Sequence, residues 1–125
     1  MISKRFLDAD LVVDGKRLEV LASRAAMDTK VDSDDATGIG DSDRERVSTH
    51  VATTLKYEAW SKDKIDPISG VAIRVAVIDR NKQYSFTADY VKTLWFGWDE
   101  QTGMHRIEVE AKAEGRKAIP EYSDF

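Results

Sequence analysis

The chain reads as mainly β: an antiparallel sandwich or barrel-like sheet with long strands, a long acidic loop and at most one short helix. Three observations predict this class. A period of two runs unbroken from Val47 to Trp60, and Asp14-Gly15 sits between two alternating runs. No segment keeps a helical apolar period over three turns; DRERVSTHVATTL can be drawn as a helix, but its Val and Thr content favours an extended strand.

Residues 1 to 8 read as a short N-terminal arm. Ala9, Leu11 and Val13 then alternate with Asp10, Val12 and Asp14, and Leu18, Val20 and Ala22 alternate with Arg17, Glu19 and Leu21. Asp-Gly between such runs marks a type I′ hairpin, because both central residues need positive φ. Residues 9 to 30 are therefore predicted as a hairpin whose second arm runs toward Lys30. Residues 31 to 45, rich in Asp, Ser and Gly, form a long polar loop.

From Val47 one face holds Val47, Thr49, Val51, Thr53, Leu55, Tyr57 and Ala59, and the other holds Ser48, His50, Ala52, Thr54, Lys56, Glu58 and Trp60. At about 3.3 Å per residue this strand spans on the order of 45 Å, long enough to belong to a large or shared sheet. SKDKIDPISG is a turn-rich crossing, with Asp66 held extended by Pro67. VAIRVAVI, residues 71 to 78, reads as a strand buried on both faces. After a turn at Asp79 to Lys82, Tyr84, Phe86, Ala88 and Tyr90 oppose Ser85, Thr87, Asp89 and Val91, and LWFGW adds an aromatic cluster broken by Gly97. DEQTG is a hairpin loop. Met104 to Ala113 closes the sheet, with His105, Ile107, Val109 and Ala111 on one face and Arg106, Glu108, Glu110 and Lys112 on the other. Residues 114 to 125 form a non-helical C-terminal arm. The expected total is six or so strands.

A length of 125 residues with 42% apolar content predicts one domain over residues 1–125 with a single core. There is no cysteine, which removes thiolate metal sites, thiol nucleophiles and a disulfide framework. The apolar runs Val75 to Ile78 and Leu94 to Gly97 fall far short of the roughly 20 residues of a membrane helix, so no membrane span is expected. Asp8 and Asp10 follow Lys4 and Arg5 with no apolar stretch, so no secretory signal is expected either. The stretch from Asp28 to Arg46 holds seven acids and three bases and carries the whole net charge of −4. No basic run fit to neutralise phosphates stands anywhere in the chain, which disfavours tight nucleic-acid binding.

Candidate chemistry is sparse. Asp32 and Asp34 match the first and third positions of a calcium loop, but Ala36, Thr37 and Asp43 fail at the fifth, sixth and twelfth. Two histidines, His50 and His105, supply at most half of a zinc site. No nucleophile elbow occurs and no carboxylate sits alone in an apolar run, so neither a cofactor nor catalysis is expected. Trp95, Phe96 and Trp98 resemble a stacking platform, yet Asp99 and Glu100 follow where such a platform wants bases. Packing or an interface explains them better, and Trp60 reads the same way. Long strands in a small domain leave open edges, and controlled association removes them.

The opening hairpin LVVDGKRLEV, the polar loop ending near Glu45, the strand HVATTLKYEAWSK and the ending KAIPEYSDF come in an order that resembles the tail-tube proteins of contractile phage tails, relatives of the type VI secretion tube. The resemblance implies hexameric rings with strands joined into a continuous barrel, stacked into a tube through which DNA passes on ejection. It further implies contacts with sheath or baseplate proteins and a place in the virion tail after assembly in the host cytoplasm. The family's outer helix has room here only around residues 61 to 70. On this reading Asp32, Asp34, Asp35, Asp41 and Asp43 contact the adjacent ring, with Arg74, Arg80, Arg116 or Lys117 as receivers. Lys56, Glu58, Arg106, Glu108 and Glu110 are candidates to line the lumen, and Trp60, Trp95, Phe96, Trp98, Tyr122 and Phe125 to anchor interfaces. Two alternatives stand beside it: a small phage or bacterial interaction protein that offers its acidic loop to a basic partner, and a β-barrel module for oligonucleotide or sugar.

Overall fold

A computed structural model describes residues 2–34 and 48–124. The described residues form one strongly curled antiparallel sheet, a half-barrel. Nine strands follow in chain order: β1 (Ile2–Leu7), β2 (Asp10–Val13), β3 (Lys16–Arg17), β4 (Ala22–Asp34), β5 (Ser48–Ser61), β6 (Gly70–Asp79), β7 (Lys82–Asp99), β8 (Met104–Glu114) and β9 (Glu121–Asp124). Their spatial order is β1-β4-β5-β8-β7-β6-β2-β3, with β9 beside the start of β7. Only Asp8 and Ala9 separate β1 from β2, although these two pair with opposite sides of the sheet, β4 and β6. The sheet must curl to allow this, and Asp8 takes the bend with a φ of 57°.

From His50 to Trp60 the alternation of β5 is realised as read, while Val47 lies outside the described residues. Val51, Thr53, Leu55, Tyr57 and Ala59 are buried, and they meet Ile107, Val109, Ala111 and Ala113 of β8 and Phe86, Ala88 and Val91 of β7 in one core. Asp14 and Gly15 both have positive φ, 51° and 78°, as the type I′ turn requires. The hairpin itself is shorter than predicted. β3 ends at Arg17, and Leu18–Leu21 leave the ladder before β4 begins, because the second arm must change partner from β2 to β1 and β5.

Other segments depart from the reading in the same way. Residues read as an N-terminal arm form β1, whose Phe6 enters the core against Tyr84 with ring centroids 5.3 Å apart. Strand pairing continues past Val31 as far as Asp34, opposite Ser48–Val51, so the start of the predicted loop belongs to the sheet. In β6 only Val75–Ile78 are buried, and Val71 is 77% exposed, because β2 covers that strand only from Val75 to Ile78. Residues 62–69 cross without a helix, with Ile65 buried. The C-terminal arm holds a 3-10 turn, Arg116–Ala118, followed by β9.

That turn is fastened to the sheet by a buried hydroxyl. Thr53 donates to the Ala118 carbonyl at 2.5 Å and shares a 2.9 Å hydrogen bond with Thr29. Thr53→Val keeps the shape but strands a buried carbonyl and a buried hydroxyl. We expect a loss of about 2 kcal/mol, read by urea unfolding, with β9 losing hydrogen-exchange protection first.

Tyr57 gives the opposite expectation. Its ring is 2% exposed and its hydroxyl oxygen makes no well-formed hydrogen bond among the described residues; burial pushes its pKa up to about 12 against the opposing pull of the nearby Ser23 hydroxyl. A buried polar group without a partner costs free energy. Tyr57→Phe should therefore leave stability unchanged or raise it by about 1 kcal/mol. A clear loss in thermal midpoint would reveal a hydrogen bond to that oxygen.

Candidate functional site

The face of the sheet turned away from the core is polar, and cross-strand register builds it row by row. One row runs Leu7, Arg24, Glu58, Glu108, Trp95; the next runs Arg5, Ala26, Lys56, Glu110, Lys92. All five charged residues read as lining candidates, Lys56, Glu58, Arg106, Glu108 and Glu110, thus stand together on this face, on β5 and β8. Period-two alternation places them there, and antiparallel pairing brings Lys56 opposite Glu110 and Glu58 opposite Glu108.

At its centre is an ion-pair network. Glu58 accepts from Arg24 Nε at 2.6 Å and from Arg106 Nη1 at 2.7 Å, and the same Arg106 nitrogen donates to Glu108 at 2.6 Å. Burial by itself would raise the Glu58 carboxyl pKa, but the hydrogen bonds from Arg106 and Arg24 outweigh it and hold the group below its ordinary range. Burial likewise works against the Arg106 cation, and Glu58 and Glu108 more than offset it, so its pKa is raised. Arg106 lies 4.3 Å over the Trp95 ring and Arg24 lies 5.6 Å over Trp60. Trp60 donates to Asp99 at 3.4 Å, which ties the β7–β8 turn to the network. Nearby, Asp28 is held below the usual carboxylate range by hydrogen bonds from Ser3 and Arg5. Glu110 is buried and accepts from the Tyr90 hydroxyl at 3.2 Å.

Counted from the Lys30–Ala52–Glu114 row to the β7–β8 turn, seven bases (Arg5, Arg24, Lys30, Lys56, Lys92, Arg106, Lys112) face six acids (Asp28, Glu58, Asp99, Glu108, Glu110, Glu114). The face is densely charged and almost neutral. A trough of about 630 Å³ lies between the two rows over the small side chain of Ala26, bounded by Arg5, Leu7, Arg24, Lys56, Glu58 and Leu94. Neither Leu7, 79% exposed, nor Leu94, 48% exposed, was singled out from the sequence. Leu94 reaches this face because the β7–β8 register shifts between Thr93 and Trp95, a bulge that alternation alone does not announce.

The anchoring candidates divide. Trp60, Trp95, Phe96 and Trp98 gather near the β7–β8 turn, and the last three are substantially exposed. Tyr122 lies at the other end of β7, its ring tilted against Tyr84 at 5.2 Å, and Phe125 is outside the described residues. Of the acidic series, Asp32 and Asp34 belong to the end of β4, while Asp35, Asp41 and Asp43 lie outside the described residues. Two of the proposed receivers already have partners: Arg74 pairs with Glu121 at 2.7 Å, and Lys117 pairs with Asp89. Among the described residues no group of three or more His, Asp or Glu side chains is placed to hold a metal ion, and no helix is long and apolar enough to cross a membrane.

Several stretches of the sheet have a backbone neighbour on one side only among the described residues: β3 lies beside β2 alone, β9 beside β7 alone, and the start of β6 beside β7 alone. Two more flank the charged face. β1 pairs with β4 alone. On β7, pairing with β6 stops at Val91, so Leu94–Asp99 have β8 on one side and no strand on the other. The fold and this face together define a curled antiparallel half-barrel with a charge-balanced outer surface flanked by two of its open borders. Comparison with protein-family models, curated proteins and solved structures yields no match to the chain.

Proposed function

We propose that this chain is a structural, self-assembling subunit whose copies close into rings, and that stacked rings form the tube of a phage tail through which DNA passes. The observation that carries the reading is the pair of open borders, each carrying exposed apolar side chains: Ile2 and Leu7 on one, Trp95, Phe96 and Trp98 on the other. A protein of this size that stayed alone would leave these two borders as templates for uncontrolled strand addition, and closure into a ring covers both. The outer face supports the second half of the reading. A conduit must not hold its cargo, and Glu58, Glu108 and Glu110 cancel most of the positive charge that would otherwise neutralise phosphates. The hexameric count and the sheath or baseplate contacts come from the tail-tube resemblance.

Light scattering with negative-stain microscopy tests the reading. Rings or tubes are expected; a single species near the 14.1 kDa of one chain at all concentrations would overturn it.

A further inference from the structure

We infer that the Leu94–Asp99 border of one copy is covered by the Ile2–Leu7 border of a second copy, head to tail. This rests on the ring reading and specifies the junction within it. Each border presents a row of backbone N–H and C=O groups with no strand beside it among the described residues, the arrangement that accepts an added strand.

The side chains of the two borders are complementary. β1 carries Lys4 and Arg5 between the exposed apolar residues Ile2 and Leu7. The β7 border carries Phe96 and Trp98 and runs into Asp99 and Glu100. If the outer face continues across the junction, Arg5 and Leu7 join the side of Trp95 and Asp99, and Lys4 joins the side of Phe96 and Trp98; the proposed register sets Lys4 beside Trp98. There a cation meets an aromatic face, next to two acids.

Pairing of like borders does less. Two β1 strands would set Lys4 and Arg5 against their own copies, and two β7 strands would leave Ile2 and Leu7 of both chains uncovered. Only the head-to-tail contact covers both borders with one junction, and only that kind of contact repeats around a closed ring.

Because the chain contains no cysteine, cross-linking can report the junction. With Lys4 beside Trp98, Glu100 falls beside Ile2 if the strands are antiparallel and beside Phe6 and Leu7 if they are parallel. We expect assembled Ile2→Cys/Glu100→Cys or Leu7→Cys/Glu100→Cys chains, treated with a short bis-maleimide, to give a covalent ladder. Which pair reacts also gives the strand direction. A dimer from any of the three single-cysteine chains would mean pairing of like borders and overturn the inference. Assembled particles in which neither pair cross-links would overturn it while leaving the ring reading intact, whereas a wild-type chain that is always monomeric would end both.

A second measurement avoids cysteines. Lys4→Glu/Arg5→Glu changes exposed side chains and also gives up the Arg5–Asp28 and Lys4–Tyr84 contacts within the chain, so its thermal midpoint is read alongside; with the fold kept, it should raise the concentration for half-assembly about tenfold, with Glu100→Lys in the same chain recovering part of the loss. An unchanged assembly concentration in the charge-reversed chain would count against the junction.

Discussion

Replacing Arg106 with alanine should lower stability by about 2 kcal/mol at neutral pH, and by only about 1 kcal/mol below pH 4. Arg106 is the shared donor between Glu58 and Glu108, which sit directly opposite each other on β5 and β8. Without it two carboxylates face across a ladder in a half-buried setting, and Trp95 loses the cation over its ring. Acid relieves the variant because protonation removes the repulsion between the carboxyls.

The wild-type protein should behave in the reverse sense. A carboxyl whose folded pKa is depressed, as in Glu58 and Asp28, adds stability above its unfolded value and loses it as pH falls through the lower folded one. The stability curves of wild type and variant should therefore converge in acid. Thermal midpoints of both chains between pH 3 and 7 measure this, and a gap that stays constant over the range would show that Arg106 acts by packing instead of charge.

The second large effect concerns DNA. Glu58→Gln/Glu108→Gln/Glu110→Gln keeps hydrogen-bonding side chains at three positions while leaving seven bases against three acids on the outer face. Wild type should leave the mobility of a DNA duplex unchanged. The triple variant should retard it at micromolar protein, and the affinity should fall with salt at a log–log slope of about −3, one condensed counterion for each neutralised acid. Equal mobility with both proteins would remove the argument that these acids keep the face from holding DNA. Circular dichroism of the triple variant confirms that any gain comes from a folded sheet.

Parts of this site were legible from residue order. Lys56 and Glu58 on one face of their strand, and Arg106, Glu108 and Glu110 on one face of theirs, follow from the side-chain period of a strand. The buried series from Val51 to Ala59 follows from the same rule, and Asp14-Gly15 named its own turn. Arg24 did not announce itself as a partner of Glu58, because 34 residues separate them and only β4–β5 register brings them together. Leu7 gained meaning when β1 proved to be a strand at the border, and Leu94 when a bulge turned it outward.

By itself the order of residues determined that this protein is built of strands, which side of β5 and β8 is apolar, and that its charges alternate along those strands. Those properties depend on backbone geometry over two or three residues, so each stretch carries its own answer. Which strands become neighbours was decided only in three dimensions: that Ile2–Leu7 joins β4, that β7 outruns β6 beyond Val91, and that Glu58 is clasped by arginines from both flanking strands. Pairings of that kind trade loop-closure entropy against burial over the whole sheet at once, and no local stretch of sequence contains the outcome.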